Sequence, residues 1–151
     1  MVNTVNRVAR HTEESINRRI EAETGAHIRR CAGNPREIDR RLRALDREWD
    51  IERVLETNAS LLAFAGVALG GLVNRRFLWL PAAVTAFLFQ HAVQGWCPPI
   101  PLLRRLGIRT AREIEIERVA LKILRGDFRD LPSGRRGQAG GAEEAMRAAR
   151  A

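Results

Sequence analysis

Between Thr57 and Leu103 the chain carries only two charged side chains, and they are neighbours: Arg75 and Arg76. An uncharged, mostly apolar run lies on each side of that pair. Thr57–Val73 has 17 residues, and Asn74 extends the uncharged stretch to 18. Phe77–Trp96 has 20. As a helix the first run covers roughly 26 Å, just short of a bilayer's hydrocarbon core, and the second spans that core comfortably. The two runs therefore read as a transmembrane helical hairpin over residues 57–96, with helices at 57–73 and 77–96, in an all-α membrane protein. Trp79 and Trp96 fall near the two ends of the second run, about 25 Å apart along a helix. That is the placement of interfacial aromatic anchors. The alternative is a hairpin buried inside a soluble protein. It is disfavoured because a chain of 151 residues has little apolar material left to wrap two such helices.

Average composition hides this division. Charged residues make up 29% and apolar ones 45%, values ordinary for a soluble domain, but the two kinds are segregated along the chain. The net charge of +8 is uneven as well. Residues 1–56 hold 12 Arg against 11 acids, whereas 104–128 hold 7 basic residues against 4 acids. A modest basic excess beside apolar segments suits an anionic membrane surface. Nucleic acid is not expected as a partner, since zinc-finger spacing, RNP motifs and aromatic-interleaved basic stripes are absent. Cys31 and Cys97 are too few and too far apart for a disulfide framework or a metal site, and fit a reducing, cytoplasm-facing setting. Met1–Glu23 mixes both charges without an apolar core, so it does not read as a cleaved signal peptide.

The flanks read as amphipathic helices on both sides of the hairpin. In residues 1–33, Val5, Ala9, Thr12, Ile16 and Ile20 recur at helical spacing, predicting one weak helix over 3–30. Asn34-Pro35-Arg36-Glu37 is a helix start, with Asn34 to cap and Pro35 in the first helical position. Ile38, Leu42, Leu45 and Trp49 then form a narrow stripe over 34–56, and without Pro or Gly before Gly66 that helix is free to run on into the membrane. The acids of Asp46–Glu56 alternate with Arg and read as a solvated, salt-bridged face. After the second span, Cys97-Pro98-Pro99-Ile100-Pro101 forbids a continuing helix. Thr110-Ala111-Arg112-Glu113 is a capping box that opens an interfacial helix ending at Gly126, so that 97–128 forms a turn plus helix. Residues 129–151 are rich in Gly, Ala, Arg and Pro and read as a disordered tail. Basic residues before the first span (Arg40, Arg41, Arg43, Arg47, Arg53) and after the second (Arg104, Arg105, Arg109, Arg112) outnumber the turn pair, which places both termini in the cytoplasm.

Three constellations are candidates for function. Ala59, Ala63, Gly66 and Gly70 share one face of the first span. This small-residue pattern lets helix backbones approach closely, either in packing of the hairpin on itself, the favoured reading because the second span is tethered next door, or in a homodimer. Gln90, His91 and Gln94 share a side of the second span and want polar partners. Interhelical hydrogen bonding is favoured over ligation of a haem or chlorophyll by His91. Cys97, at the cytoplasmic interface, is either a reactive thiol or a small apolar residue in a tight turn. Phosphate-loop, HExxH and Gly-x-Ser-x-Gly motifs are absent, and neither an enzyme, nor a metal, nor a cofactor is expected.

The stretch Asp50–Phe128 resembles the YgaP-like inner-membrane domain, a bacterial family of unassigned function. The likeness runs through Glu52-Arg53, Gly66, Gly95, Cys97-Pro98 and Leu106-Gly107, and through the strings His91–Pro99 and Ala120–Phe128. It implies a two-helix anchor in the bacterial inner membrane that tends to dimerise. Some members of the family are fused to a rhodanese sulfurtransferase domain, for which this chain has neither the length nor the active-site loop. Three functions are then expected to compete: a non-enzymatic scaffold or accessory subunit of a larger membrane complex, a sulfur- or redox-linked protein using Cys97, and an oligomeric channel or exporter built around Gln90, His91 and Gln94.

Overall fold

The computed structural model describes residues 7–129, which are all-helical, with no strand among them. Seven α-helices follow in order: α1 Arg7–Arg10, α2 Glu14–Cys31, α3 Pro35–Leu45, α4 Ile51–Leu72, α5 Trp79–Gln94, α6 Ile100–Arg105 and α7 Ala111–Arg125. A 3-10 turn, Arg75–Leu78, leads into α5. The tail expected over 129–151 lies, apart from Arg129, outside the described residues. The chain divides into two compact units, one of Met1–Glu23 with Glu48–Ile114, the other of Thr24–Arg47 with Glu115–Ala151.

In the first unit, the single helix expected over 3–30 is interrupted at residues 11–13. The carbonyls at the end of α1 are taken by side chains: Thr12 Oγ1 donates to the Val8 oxygen (2.8 Å) and Asn17 Nδ2 to the Ala9 oxygen (2.9 Å). The same two oxygens also accept the His11 and Thr12 amides, each three residues on, so the chain tightens into a turn and the side-chain donors stand where the amides four residues on would have continued the helix.

A second break corrects the expectation of one helix running from 34 into the apolar run. Asp50 is extended, and its carboxylate accepts the Arg53 amide at 2.8 Å, an N-cap. The Ile51 amide is committed to the Arg109 oxygen at 2.9 Å, so it cannot bond back along the chain. Helix α4 therefore starts six residues before Thr57 and has 22 residues, about 33 Å of rise rather than 26 Å. Trp49 does not continue the buried stripe of Ile38, Leu42 and Leu45. It is exposed, with the Arg53 guanidinium 4.4 Å above its ring.

Asn74 ends the first apolar segment and accepts the Arg76 amide at 2.9 Å, which starts the 3-10 turn. Pro81 falls in the first turn of α5, where a missing N–H is tolerated. Gly95, at φ 73°, closes α5 in the left-handed conformation that favours glycine. The proline-rich stretch that follows does end α5, but helix re-forms at once as α6, with Pro101 in its first turn.

The apolar core of this unit gathers Val8, Ile51, Leu55, Cys97 and Ile100, with Leu103 and Ile108 against it. Helices α4 and α5 pack on each other along their length. Their outer faces are uncovered: Phe64 is 73% exposed, Leu72 87% and Phe89 72%, and α5 buries none of its residues.

In the second unit, Asn34 caps α3 as its sequence announces, accepting the Arg36 and Glu37 amides. Ile38, Leu42, Leu45 and Leu121 are buried. Glu117 is fully buried and held by the Arg41 guanidinium in a two-pronged bond of 2.7 and 3.0 Å, with His27 Nδ1 3.0 Å from Arg41. A buried carboxylate is tolerated only when paired in this way. Arg125 bridges Asp39 and Asp127, and Arg118 bridges Asp46 and Glu115.

Candidate functional site

Helix α4 turns its small residues toward α5. A Cβ built on Gly66 would stand 2.5 Å from Pro81 Cδ and 3.2 Å from Leu80 Cβ, and one on Gly70 would stand 2.5 Å from Leu78 Cδ2. Ala59 is buried and Ala63 half-buried on the same face. The face that the sequence left open between self-packing and a homodimer is thus occupied by the chain's own second apolar segment. Two polar side chains within these helices, Asn58 and Thr85, are satisfied by their own helix. Asn58 Nδ2 donates to the Val54 oxygen at 2.8 Å, and Thr85 Oγ1 to the Pro81 oxygen at 2.8 Å.

The contacts between α4 and α5 shift in opposite directions along the two helices, from Gly70 with Leu78, through Gly66 with Pro81, to Glu52 with His91. His91 Nε2 lies 2.7 Å from Glu52 Oε2. The imidazole is mostly buried, and its Nδ1 has no hydrogen-bond partner. Of the two glutamines on the same side of α5, Gln90 is half-buried and Gln94 exposed. Around the Glu52–His91 pair a cavity of about 210 Å³ is lined by Arg7, Thr110, Arg112 and Gly95 among others. Arg7 Nη1 donates to the Ala92 oxygen at 2.7 Å, capping the end of α5.

The same unit holds a polar brace. Arg104 is fully buried and makes two bonds to the Glu113 carboxylate, of 2.7 and 2.8 Å, and one to Asn17 Oδ1 at 2.9 Å. Glu113 also closes the expected capping box: its carboxylate accepts the Thr110 amide at 2.8 Å, and its own amide donates to Thr110 Oγ1 at 3.3 Å. Burial alone pushes the Glu113 carboxyl up. The Arg104 guanidinium and the Thr110 amide and hydroxyl outweigh it and hold the group below its ordinary value. Arg109 grips Glu48 through two bonds of 2.8 Å.

Cys97 is buried in the apolar core, and burial pushes its thiol up. It also lines a largely apolar crevice of about 460 Å³ between α4 and α5, with Leu55, Asn58, Phe87 and Leu103. Trp79 is 79% exposed at the start of α5, and Trp96 is half-buried. Among the described residues no group of three His, Cys, Asp or Glu side chains is placed to hold a metal ion.

No protein-family model, curated protein or solved structure matches this chain.

Sequence reasoning missed Glu52, Arg7 and the Arg104–Glu113 pair as site residues. In the sequence Glu52 reads as one of a run of alternating charges and as part of the Glu52-Arg53 pair behind the family resemblance, and Arg104 reads as a topology-setting cation. The signal available was the capping box, which marks Glu113 as held in place, and the lone imidazole of an apolar helix, which requires a partner. Which acid meets His91 depends on how α4 and α5 pair, and that is not written locally.

Proposed function

We propose that this chain is an integral protein of the bacterial inner membrane, a two-span hairpin of the YgaP-like kind with both termini in the cytoplasm, acting as a non-enzymatic scaffold or accessory subunit of a larger membrane complex. The observation that carries the reading is the uncovered apolar surface of α4 and α5: α4, and α5 taken together with the 3-10 turn that leads into it (Arg75–Gln94), are long and apolar enough to cross a bilayer. Exposed apolar area of that extent costs on the order of 25 cal/mol per Å² in water and nothing comparable in lipid. Local satisfaction of Asn58 and Thr85 supports the same reading, because lipid offers no water to meet their hydrogen bonds. An accessory role draws support from α7, where Ile116, Val119 and Ile123 are exposed at helical spacing beside the ion-paired arm of the second unit.

The sulfur or redox reading requires a thiolate at Cys97, and burial opposes one. The channel reading requires Gln90, His91 and Gln94 to face a common lumen, while His91 faces Glu52 within its own chain. Extraction of native membranes in a mild detergent tests the proposal. An accessory subunit migrates with larger membrane proteins. Migration alone, as a single small species under every mild detergent tried, would contradict the role.

A further inference from the structure

We propose that the tip of the hairpin, Arg75 and Arg76 with Trp79, docks on the headgroups of anionic glycerophospholipids in the leaflet it reaches. The charge at this tip is uncompensated. Both arginines are exposed, and neither guanidinium forms a hydrogen bond or an ion pair with a described residue. Residues 57–112 contain no Asp or Glu. The last acid before them, Glu56, lies 16 residues before Leu72 on α4, about 24 Å along the axis. The next, Glu113, is bound to Arg104 and stands one turn past Arg109, whose oxygen holds the start of α4.

The backbone under these side chains is fixed. Asn74 Oδ1 accepts the Arg76 amide at 2.9 Å, the Asn74 amide donates to the Leu69 oxygen at 3.0 Å, and Leu78 rests on Gly70. Side chains three residues apart eclipse in a 3-10 turn, so Arg76 and Trp79 share a side. Trp79 is largely exposed, and so is Leu72 at the end of α4. Cation, indole and aliphatic side chain then follow the order of a bilayer's phosphate, interfacial and hydrocarbon layers. That order commits the surface to a lipid, since free phosphate offers nothing to the indole. Cations on the turn side also oppose the basic bias that orients the chain, and headgroup phosphates offset that opposition. The assignment rests on the membrane reading above.

The test uses the full chain reconstituted in vesicles of equal parts phosphatidylglycerol and phosphatidylcholine, with bromine on the acyl chains of one lipid or of the other. Trp49→Phe with Trp96→Phe leaves Trp79 as the only tryptophan, and its quenching reports which lipid touches the tip. Contact with phosphatidylglycerol is expected about three times as often as with phosphatidylcholine. The ratio is expected to drop to about one in Arg75→Gln/Arg76→Gln, and to move toward that value as salt rises from about 0.1 M to about 1 M. Both arginines are exposed and unpaired, so this variant is expected to keep its fold, which circular dichroism checks. If the two tryptophan substitutions lower the helix content, the native tryptophans serve instead, because the two chains compared then differ at the tip alone. Equal quenching by both lipids with the arginines in place overturns the proposal and leaves the pair to an acidic protein segment. A preference that survives Arg75→Gln/Arg76→Gln overturns it as well. Quenching by neither lipid is a different failure, that of the membrane reading, and takes the proposal with it.

Discussion

His91 Nε2 and Glu52 Oε2 lie 2.7 Å apart, so the last turn of α5 is bonded to the first turn of α4. The bond closes the end of the helix pair opposite the Arg75–Leu78 turn, where the chain itself makes the connection. It joins an imidazole on a mostly apolar helix to a carboxylate that is about half exposed.

His91→Leu is expected to lower stability by about 0.5–1.5 kcal/mol, the range of a single hydrogen bond whose partner keeps access to water. Glu52→Gln, which retains an acceptor, is expected to cost less. Thermal unfolding in detergent, followed by circular dichroism, ranks the two. Equal and negligible effects would mean that the bond does not hold the helix ends together.

Gly66 and Gly71 form a matched pair. A methyl group at Gly66 meets Pro81 and Leu80, whereas one at Gly71 has nothing within 4 Å. Gly66→Ala is therefore expected to destabilise by about 1–3 kcal/mol through overpacking. Gly71→Ala is expected to be neutral or to stabilise by up to about 1 kcal/mol through helix propensity. The reverse order would show that α4 does not rest on α5 through Gly66.

The Arg104–Glu113 brace makes stability depend on acid. Glu113 is held below its ordinary pKa of 4.5, so its contribution is fully present above that value and is lost as pH falls through the depressed one. Glu113→Gln is expected to be less stable than the wild type at neutral pH and to lose less on acidification. Arg104→Ala, which strands a carboxylate beside a buried gap, is expected to cost about 3–5 kcal/mol. Unfolding curves between neutral and acidic pH measure both, and parallel acid profiles for Glu113→Gln and the wild type would contradict the pairing.

The Cys97 thiol is raised by burial and sits in the core with Val8, Ile51, Leu55 and Ile100. Iodoacetamide at neutral pH is expected to label it slowly in the folded protein and quickly after denaturation. Mass spectrometry of the alkylated peptide separates this site from Cys31. Rapid labelling of folded protein would reopen the sulfur and redox reading.

The parts of the fold that local chemistry dictates were legible in the residues themselves. Asn34 and the Thr110–Glu113 box mark helix starts because a cap is a contact across three residues, whereas the second helix, read through to Trp96, ends at Gln94 with Gly95 as its cap. The paired apolar segments stand out because the composition switches at Arg75 and Arg76. What escaped was set by contacts across long stretches of chain. Asp50 starts α4 because the Ile51 amide is claimed by the Arg109 oxygen, and no local pattern carries that. Arg104 and Arg109 look like any interfacial arginine until Glu113 and Glu48 are brought to them. The Glu52–His91 cavity draws residues from four helices, and its basic members resemble a generic charged flank.

Whether lipid covers α4 and α5 is decided most directly by extracting membranes of cells that express the chain with alkaline carbonate. Retention in the pellet, with release only by detergent, is the expected result, since charge-stripping conditions leave apolar helices in the bilayer. Quantitative release into the carbonate supernatant, as a folded helical species without detergent, would contradict the central claim.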